Sequence, residues 1–168
     1  MSWLIGPFTR LGWMWALLTF AADQSHKWWM LLIYKIEEKG RVAVTPFLDL
    51  VFVKNLGVSY GMFANGGVSG QVALSGFAVA AVIGLTIWLA RGEMNRLLAV
   101  SIGLIIGGAL GNALDRLLLG GVADFFSLHA FGFYWYVFNI ADVAIVAGVA
   151  GLLYDSYWPS RGPASKGP

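Results

Sequence analysis

Apolar residues run along this chain in long blocks rather than in the short alternations of half-buried helices and strands. A bilayer core needs about 20 residues of helix to cross it, and the blocks have that length. Four spans are predicted, over about residues 11–29, 72–90, 97–118 and 135–154. The second is the cleanest, since between Val72 and Ala90 only Ser75 and Thr86 are polar. The first follows Pro7 and Arg10 and runs through Asp23-Gln24-Ser25-His26-Lys27 straight into Trp28-Trp29-Met30. With so weakly charged a start, it reads as a retained membrane helix rather than a secretory leader.

Small residues recur on the later spans. Gly103, Gly107, Gly111 and Asp115 fall every fourth residue, a ribbon for close helix packing that ends in a carboxylate, and Gly108, Asn112 and Arg116 repeat the spacing on an adjoining strip. The fourth span answers with Ala144 and Gly148, and with Ala147 and Gly151. Between the first two spans the pattern changes. Residues 35–41 read as a solvated turn, and Val42, Val44, Leu48, Leu50, Val51, Phe52 and Val53 around Pro46 are β-prone. A small extramembrane sheet is predicted over about residues 41–63. Residues 159–168, rich in Pro, Gly and Ser, are expected to be a disordered tail after a single membrane domain over residues 1–158. The fold class is an all-α polytopic membrane protein of four transmembrane helices carrying that sheet.

Composition supports the class: 58% hydrophobic against 12% charged residues, with mean hydropathy +0.72, excludes an ordinary soluble domain. A net charge of +2 without a basic run leaves no nucleic-acid surface. There is no Cys, hence no thiol nucleophile, disulfide or thiolate metal site, and His26 and His129 are too far apart for a zinc-hydrolase motif. Neither metal nor cofactor is expected.

Alternating four spans bring the end of the first, the start of the second, the end of the third and the start of the fourth to one membrane face. Asp23, Asn55, Asn112, Asp115, Arg116, Asp124, Asn139 and Asp142 all fall there. The basic residues, five on one side and six on the other, do not set the orientation. Asp124 and Asp142 sit at the two ends of one short apolar, aromatic loop. Asn139 and Asp142, three apart, point the same way about two turns into the fourth span, where an ionised carboxylate costs about 2.5–3.5 kcal/mol unless it meets water or a partner. Asp124 follows the third span in an apolar turn, where capping a turn is the plainer role. Brought together, two such acids cannot both ionise cheaply and share a proton, so one can activate water while the other protonates a carbonyl, the chemistry of peptide hydrolysis. An ion-relaying transporter or an inert glycine-packed scaffold are the alternatives.

The remaining polar residues read as support. Adjacent Asp115 and Arg116 suit a structural ion-pair network, and Asp23 with Lys27, four apart, makes an ion pair either at the interface or inside the bundle. Asp49, Glu37, Glu38, Glu93 and Asp155 look like loop or interfacial acids. Trp13, Trp28, Trp29, Trp135 and Trp158 look like interface anchors.

Five blocks in order, Asp23-Gln24 with Lys27, Asn55-x-Gly57, Gly111-Asn112-x-x-Asp115-Arg116, Val122-x-Asp124-Phe125 and Phe138-Asn139-x-Ala141-Asp142, resemble those of bacterial lipoprotein signal peptidase, or signal peptidase II. The resemblance spans about residues 11–154, and the last three blocks carry most of its specificity. Tyr60 stands where that pattern has Phe, a change that touches the substrate groove and removes no acid. The resemblance implies an intramembrane aspartic endopeptidase of the inner membrane, with both termini cytoplasmic and a β cradle on the periplasmic surface. Its substrates would be prolipoproteins, cut before a diacylglyceryl-modified Cys by Asp124 and Asp142. Asn55, Gly57, Asn112, Asp115, Arg116 and Asn139 would position substrate or brace the acids, and Asp23 with Lys27 would shape the site. Membrane lipid is the other implied partner, and the chain is expected to act as a monomer.

Overall fold

The computed structural model describes residues 6, 8–57 and 68–158. Tyr60, the end of the predicted β segment and the predicted tail lie outside these residues. Helix α1, Thr9–Trp28, continues through a π-helical turn, Trp29–Ile33. Lys35 in the left-handed region ends it, and a single turn of helix follows, α2, Ile36–Lys39. Strands β1, Val42–Thr45, and β2, Leu48–Asn55, then form an antiparallel pair about Pro46. Helix α3 is Val68–Arg91 and α4 is Arg96–Leu119. The Asn95 side chain caps α4 by accepting the Leu98 N–H at 2.9 Å, and Gly120, at φ 68°, ends it in a conformation that a side chain would strain.

Strands β3, Val122–Ala130, and β4, Phe133–Phe138, come next, followed by α5, Ile140–Tyr157. The two strands are joined by Phe131 and Gly132, both at positive φ, the two-residue turn whose twist suits a hairpin. All four strands form one antiparallel sheet in the order β1-β2-β3-β4. The sheet is therefore larger than predicted, and the helix in the predicted fourth span starts later, at Ile140. Residues 133–138 are strand, because a run of aromatic and β-branched residues beside a tight turn favours the extended backbone. Hydropathy alone merges residues 135–138 with the helix that follows.

Helix α4 is the hub on which α1, α3 and α5 pack. Its glycine ribbon meets α1: a methyl group on Gly103 would run into the Gly12 carbonyl, and one on Gly107 into that of Ala16. Gly108 faces the Ala141 carbonyl of α5, and Gly148 of α5 faces Ser101 and Ile105 in return. These contacts bring backbones together at a distance only small residues permit. Among the described residues three helices, α3, α4 and α5, are long and apolar enough to cross a membrane. Helix α1 has 20 residues but carries Arg10, Asp23 and Lys27. The molecule is mostly helical, with a small four-stranded sheet at one end of the helices.

Candidate active site

Asn139 organises the site because it sits where the sheet hands over to α5. It is the N-cap of that helix: its side-chain oxygen accepts the Asp142 N–H at 2.9 Å, and Asp142 Oδ2 accepts the Asn139 N–H at 3.1 Å. This reciprocal capping box satisfies two backbone donors at once. Asp142 is thus in the first turn of α5 rather than two turns in. The Asn-x-x-Asp spacing before an apolar run was the legible signal for this. With Oδ1 committed to the cap, the Asn139 amide nitrogen points the other way. It donates to Asp124 Oδ1 at 2.6 Å and to Asn112 Oδ1 at 3.1 Å. One residue therefore holds both acids.

Asp124 lies on β3 and is 1% exposed, so it is a buried strand residue and not a turn cap. Its Oδ2 accepts from Asn55 Nδ2 at 3.1 Å. Burial raises its pKa to about 7, and the charge of Asp142 adds to the shift, opposed by the hydrogen bonds from Asn55 and Asn139 and by the charge of Lys27. A carboxyl so placed is poised near neutral pH. Asp142 Oδ1 accepts from Asn112 Nδ2 at 2.9 Å.

Behind the pair lies a buried ionic layer. Lys27 Nζ is 2.8 Å from Asp23 Oδ2, 2.8 Å from Asp115 Oδ2 and 3.1 Å from Asn112 Oδ1. Ammonium only donates, so Lys27 fixes the Asn112 oxygen on its own side and turns the amide nitrogen toward Asp142. The carboxylates also tie down backbone: Asp23 Oδ1 accepts the Ala141 N–H at 2.9 Å, and Asp115 Oδ2, the oxygen that faces Lys27, accepts the Ala123 N–H at 3.1 Å. Gln24 completes the layer with 2.9 Å to Asp115 Oδ1. Asp23 and Lys27 thus face the bundle interior. Asp115 belongs to this network, but Arg116 does not. Successive helical residues point about 100° apart, and Arg116 instead donates to the Asn112 carbonyl at 3.2 Å and to the Gly57 carbonyl at 3.4 Å.

All ten nominated residues thus gather at one end of the helices, Asn55, Gly57 and Arg116 at the rim. Two apolar hollows open on either side of Asp142. One, about 480 Å³, lies between Trp135 and Phe138 of the sheet and Val143 and Val146 of α5. The other, about 390 Å³, lies between α3, α4 and α5, with Asn55, Gly57 and Arg116 in its wall.

A second polar cluster went unnoticed in the sequence. Asp49, 5% exposed, pairs with Arg41 at 2.8 Å and with His129 Nε2 at 3.2 Å, so it is no loop acid. Arg41 reaches Ser127 Oγ at 3.3 Å and lies over the Tyr134 ring, which stacks on His129. Its members lie on all the strands or just before them, too far apart in sequence to be read as one group. Asp155 lies in the last turn of α5 rather than in a loop and accepts from Asn95 Nδ2 at 2.6 Å. His26 packs its ring against Phe125 and Phe126.

The family model described as signal peptidase (SPase) II matches residues 15–158. The chain belongs to the signal peptidase II family. Among its relatives, the lipoprotein signal peptidase of Methylocella silvestris is 50% identical over 94% of this chain and 91% of its own length. That of Rhodopseudomonas palustris strain TIE-1 is 48% identical over 95% and 98% respectively. Two solved structures, each described as a bacterial membrane enzyme, superpose with a TM-score of 0.76. One is 27% identical, covering 92% of this chain and 94% of the other; the second is 25% identical, covering 96% and 99%. Signal peptidase II membership makes this chain a protease of a bacterial membrane.

Proposed function

We propose that this signal peptidase II removes the signal peptide from prolipoproteins, cutting before a diacylglyceryl-modified Cys with Asp124 and Asp142 as an aspartic pair. The observation that carries the reading is the single residue Asn139 donating to both carboxylates, in a site where Asp124 is held near a pKa of 7. Asp124, protonated at rest, donates to the scissile carbonyl oxygen as Asp142 takes a proton from the attacking water. The tetrahedral intermediate then collapses as the proton held by Asp142 passes to the leaving nitrogen and Asp124 regains its own from the new hydroxyl. One water is consumed, and a carboxylic acid and an amine are released.

The wider setting follows the same reading. Helix α1 joins α3, α4 and α5 as a fourth span, despite its charges, because Asp23 and Lys27 are turned inward and paired. The sheet is a cradle on the periplasmic surface of the inner membrane, with both termini cytoplasmic and the chain monomeric. The two hollows beside Asp142 accommodate apolar parts of a lipid-anchored precursor, whose scissile bond lies near the interface. Asn55, Gly57, Asn112, Asp115, Arg116 and Asn139 position substrate or brace the acids, and Asp23 and Lys27 shape the site.

The test is cleavage of a synthetic diacylglyceryl-modified precursor by the purified chain. Asp124→Asn and Asp142→Asn are each expected to abolish cleavage while the protein still inserts and folds. Retained cleavage in either removes that residue from the pair, and acid-dependent ion flux in proteoliposomes without cleavage would favour a transporter instead.

A further inference from the structure

Helix α3 carries no charged residue before Arg91, yet two of its four buried residues, Gln71 and Ser75, are polar. Gln71 is 4% exposed, and a buried amide is costly unless it is bonded. Its Nε2 donates to the Leu56 carbonyl at 2.6 Å. That carbonyl lies one residue past the last ladder pair of β2, Asn55 with Val122, and among the described residues no strand partner holds it. The same peptide unit supplies the Gly57 N–H, which donates to Asn55 Oδ1 at 3.0 Å. Asn55 then uses its other amide atom, Nδ2, on Asp124 Oδ2 at 3.1 Å. A trans peptide is rigid, with its C=O and N–H pointing in opposite directions. Fixing its oxygen from one side therefore fixes the direction of its N–H on the other. The N–H in turn decides which way round the Asn55 amide stands.

We infer that Gln71 is a positioning residue of the active site, acting through the peptide that joins Leu56 to Gly57 to hold the Asn55 amide nitrogen on Asp124. This rests on the proposed role of Asp124 and extends the site to a helix that contributes no acid. Without the Gln71 bond the peptide can rotate, and Asn55 can present its oxygen to a carboxyl that then loses a donor. The groups facing Asp124 are Asp142 from α5, Lys27 from α1, Arg116 from α4 and the amides of Asn55 and Asn139. Only the Asn55 contact changes.

The experiment compares Gln71→Leu, Asn55→Ala and the double variant in the full chain, using a synthetic diacylglyceryl-modified precursor. Gln71→Leu is expected to lower kcat about ten-fold with KM nearly unchanged. It should move the alkaline limb of the pH profile upward, as Asn55→Ala does, because in both the charged form of Asp124 loses a donor. The double variant should be no slower than Asn55→Ala alone, since both remove one relay. Should Gln71→Leu fail to accumulate, Gln71→Met, of similar volume, carries the same comparison. Losses that multiply in the double variant, an effect on KM alone, or an unmoved pH limb overturn the inference. Asp124→Asn and Asp142→Asn run alongside as controls. Activity in either overturns the aspartic reading itself, whereas inactive controls with multiplying losses remove only the role of Gln71.

Discussion

Asn139 reaches Asp124 at 2.6 Å with the nitrogen left over from capping the helix that carries Asp142. Helix initiation and acid positioning are thereby one arrangement. Asn139→Ala removes the cap and the donor together, and is expected to cost about 1 kcal/mol of stability and at least about a hundred-fold in kcat, a loss like that of one preorganised donor. Asn139→Ser restores much of the cap and none of the reach. Thermal melts and kcat measured on both variants separate the two effects: stability should recover in Asn139→Ser and activity should not.

The raised pKa of Asp124 has two consequences of definite sign. Cleavage that needs its proton should fall as pH rises through about 7, visible as the alkaline limb of kcat. For stability, the folded state holds this proton at pH values where the unfolded chain, with the ordinary Asp pKa of 3.8, has released it. Stability therefore declines as pH rises from about 4 to about 7. Asp124→Asn carries no ionisable group and should escape that decline. Melting wild type and variant at pH 5 and pH 8 checks this, and a gap that fails to widen at pH 8 contradicts it.

Lys27 is 1% exposed and lies 2.8 Å from a carboxylate oxygen of both Asp23 and Asp115. Lys27→Met leaves Asp23 and Asp115 buried without a counter-charge, expected to destabilise by about 3–5 kcal/mol. The triple variant Lys27→Met, Asp23→Asn, Asp115→Asn removes all three charges and should regain much of that loss. It should remain slow, because Asn112 keeps only Asn139 of the two donors that turn its amide toward Asp142. Chemical unfolding and kcat on the two variants test the separation.

Asp49 gives the sheet its own pH dependence. The Arg41 hydrogen bond, aided by His129, holds the Asp49 carboxyl below its usual value. Its stabilising contribution is present above the ordinary carboxylate range and is lost as pH falls through the lowered value. Arg41→Met should therefore lower the melting temperature at neutral pH, with the difference from wild type shrinking under strong acid. An unchanged difference across the range would mean that the guanidinium acts through packing on Tyr134 alone.

What the sequence disclosed, it disclosed through spacing. The four-residue recurrence of Gly103, Gly107 and Gly111 marked the α1 contact face, because helical periodicity is a local property. The polar residues that meet at the site were legible because alternation of the spans carries them to one face. Residues 135–138 read as helix because aromatic strands and membrane helices share the same hydropathy, and Asp124 read as a turn residue because it follows two glycines; only the pairing of β3 with β2 and β4 makes both strand. The bond from Gln71 to Leu56 and the ion pair of Asp49 with Arg41 depend on tertiary contact, which leaves no local trace.

The location of Asp142 on the last helix orders events at synthesis. A chain emerging from its N-terminus carries Lys27, Asn112 and Asp124 before the segment that supplies Asp142 has been made. Under the proposed pairing of Asp124 with Asp142, a copy that lacks α5 lacks the second carboxyl and is expected to cleave nothing until its own assembly is finished.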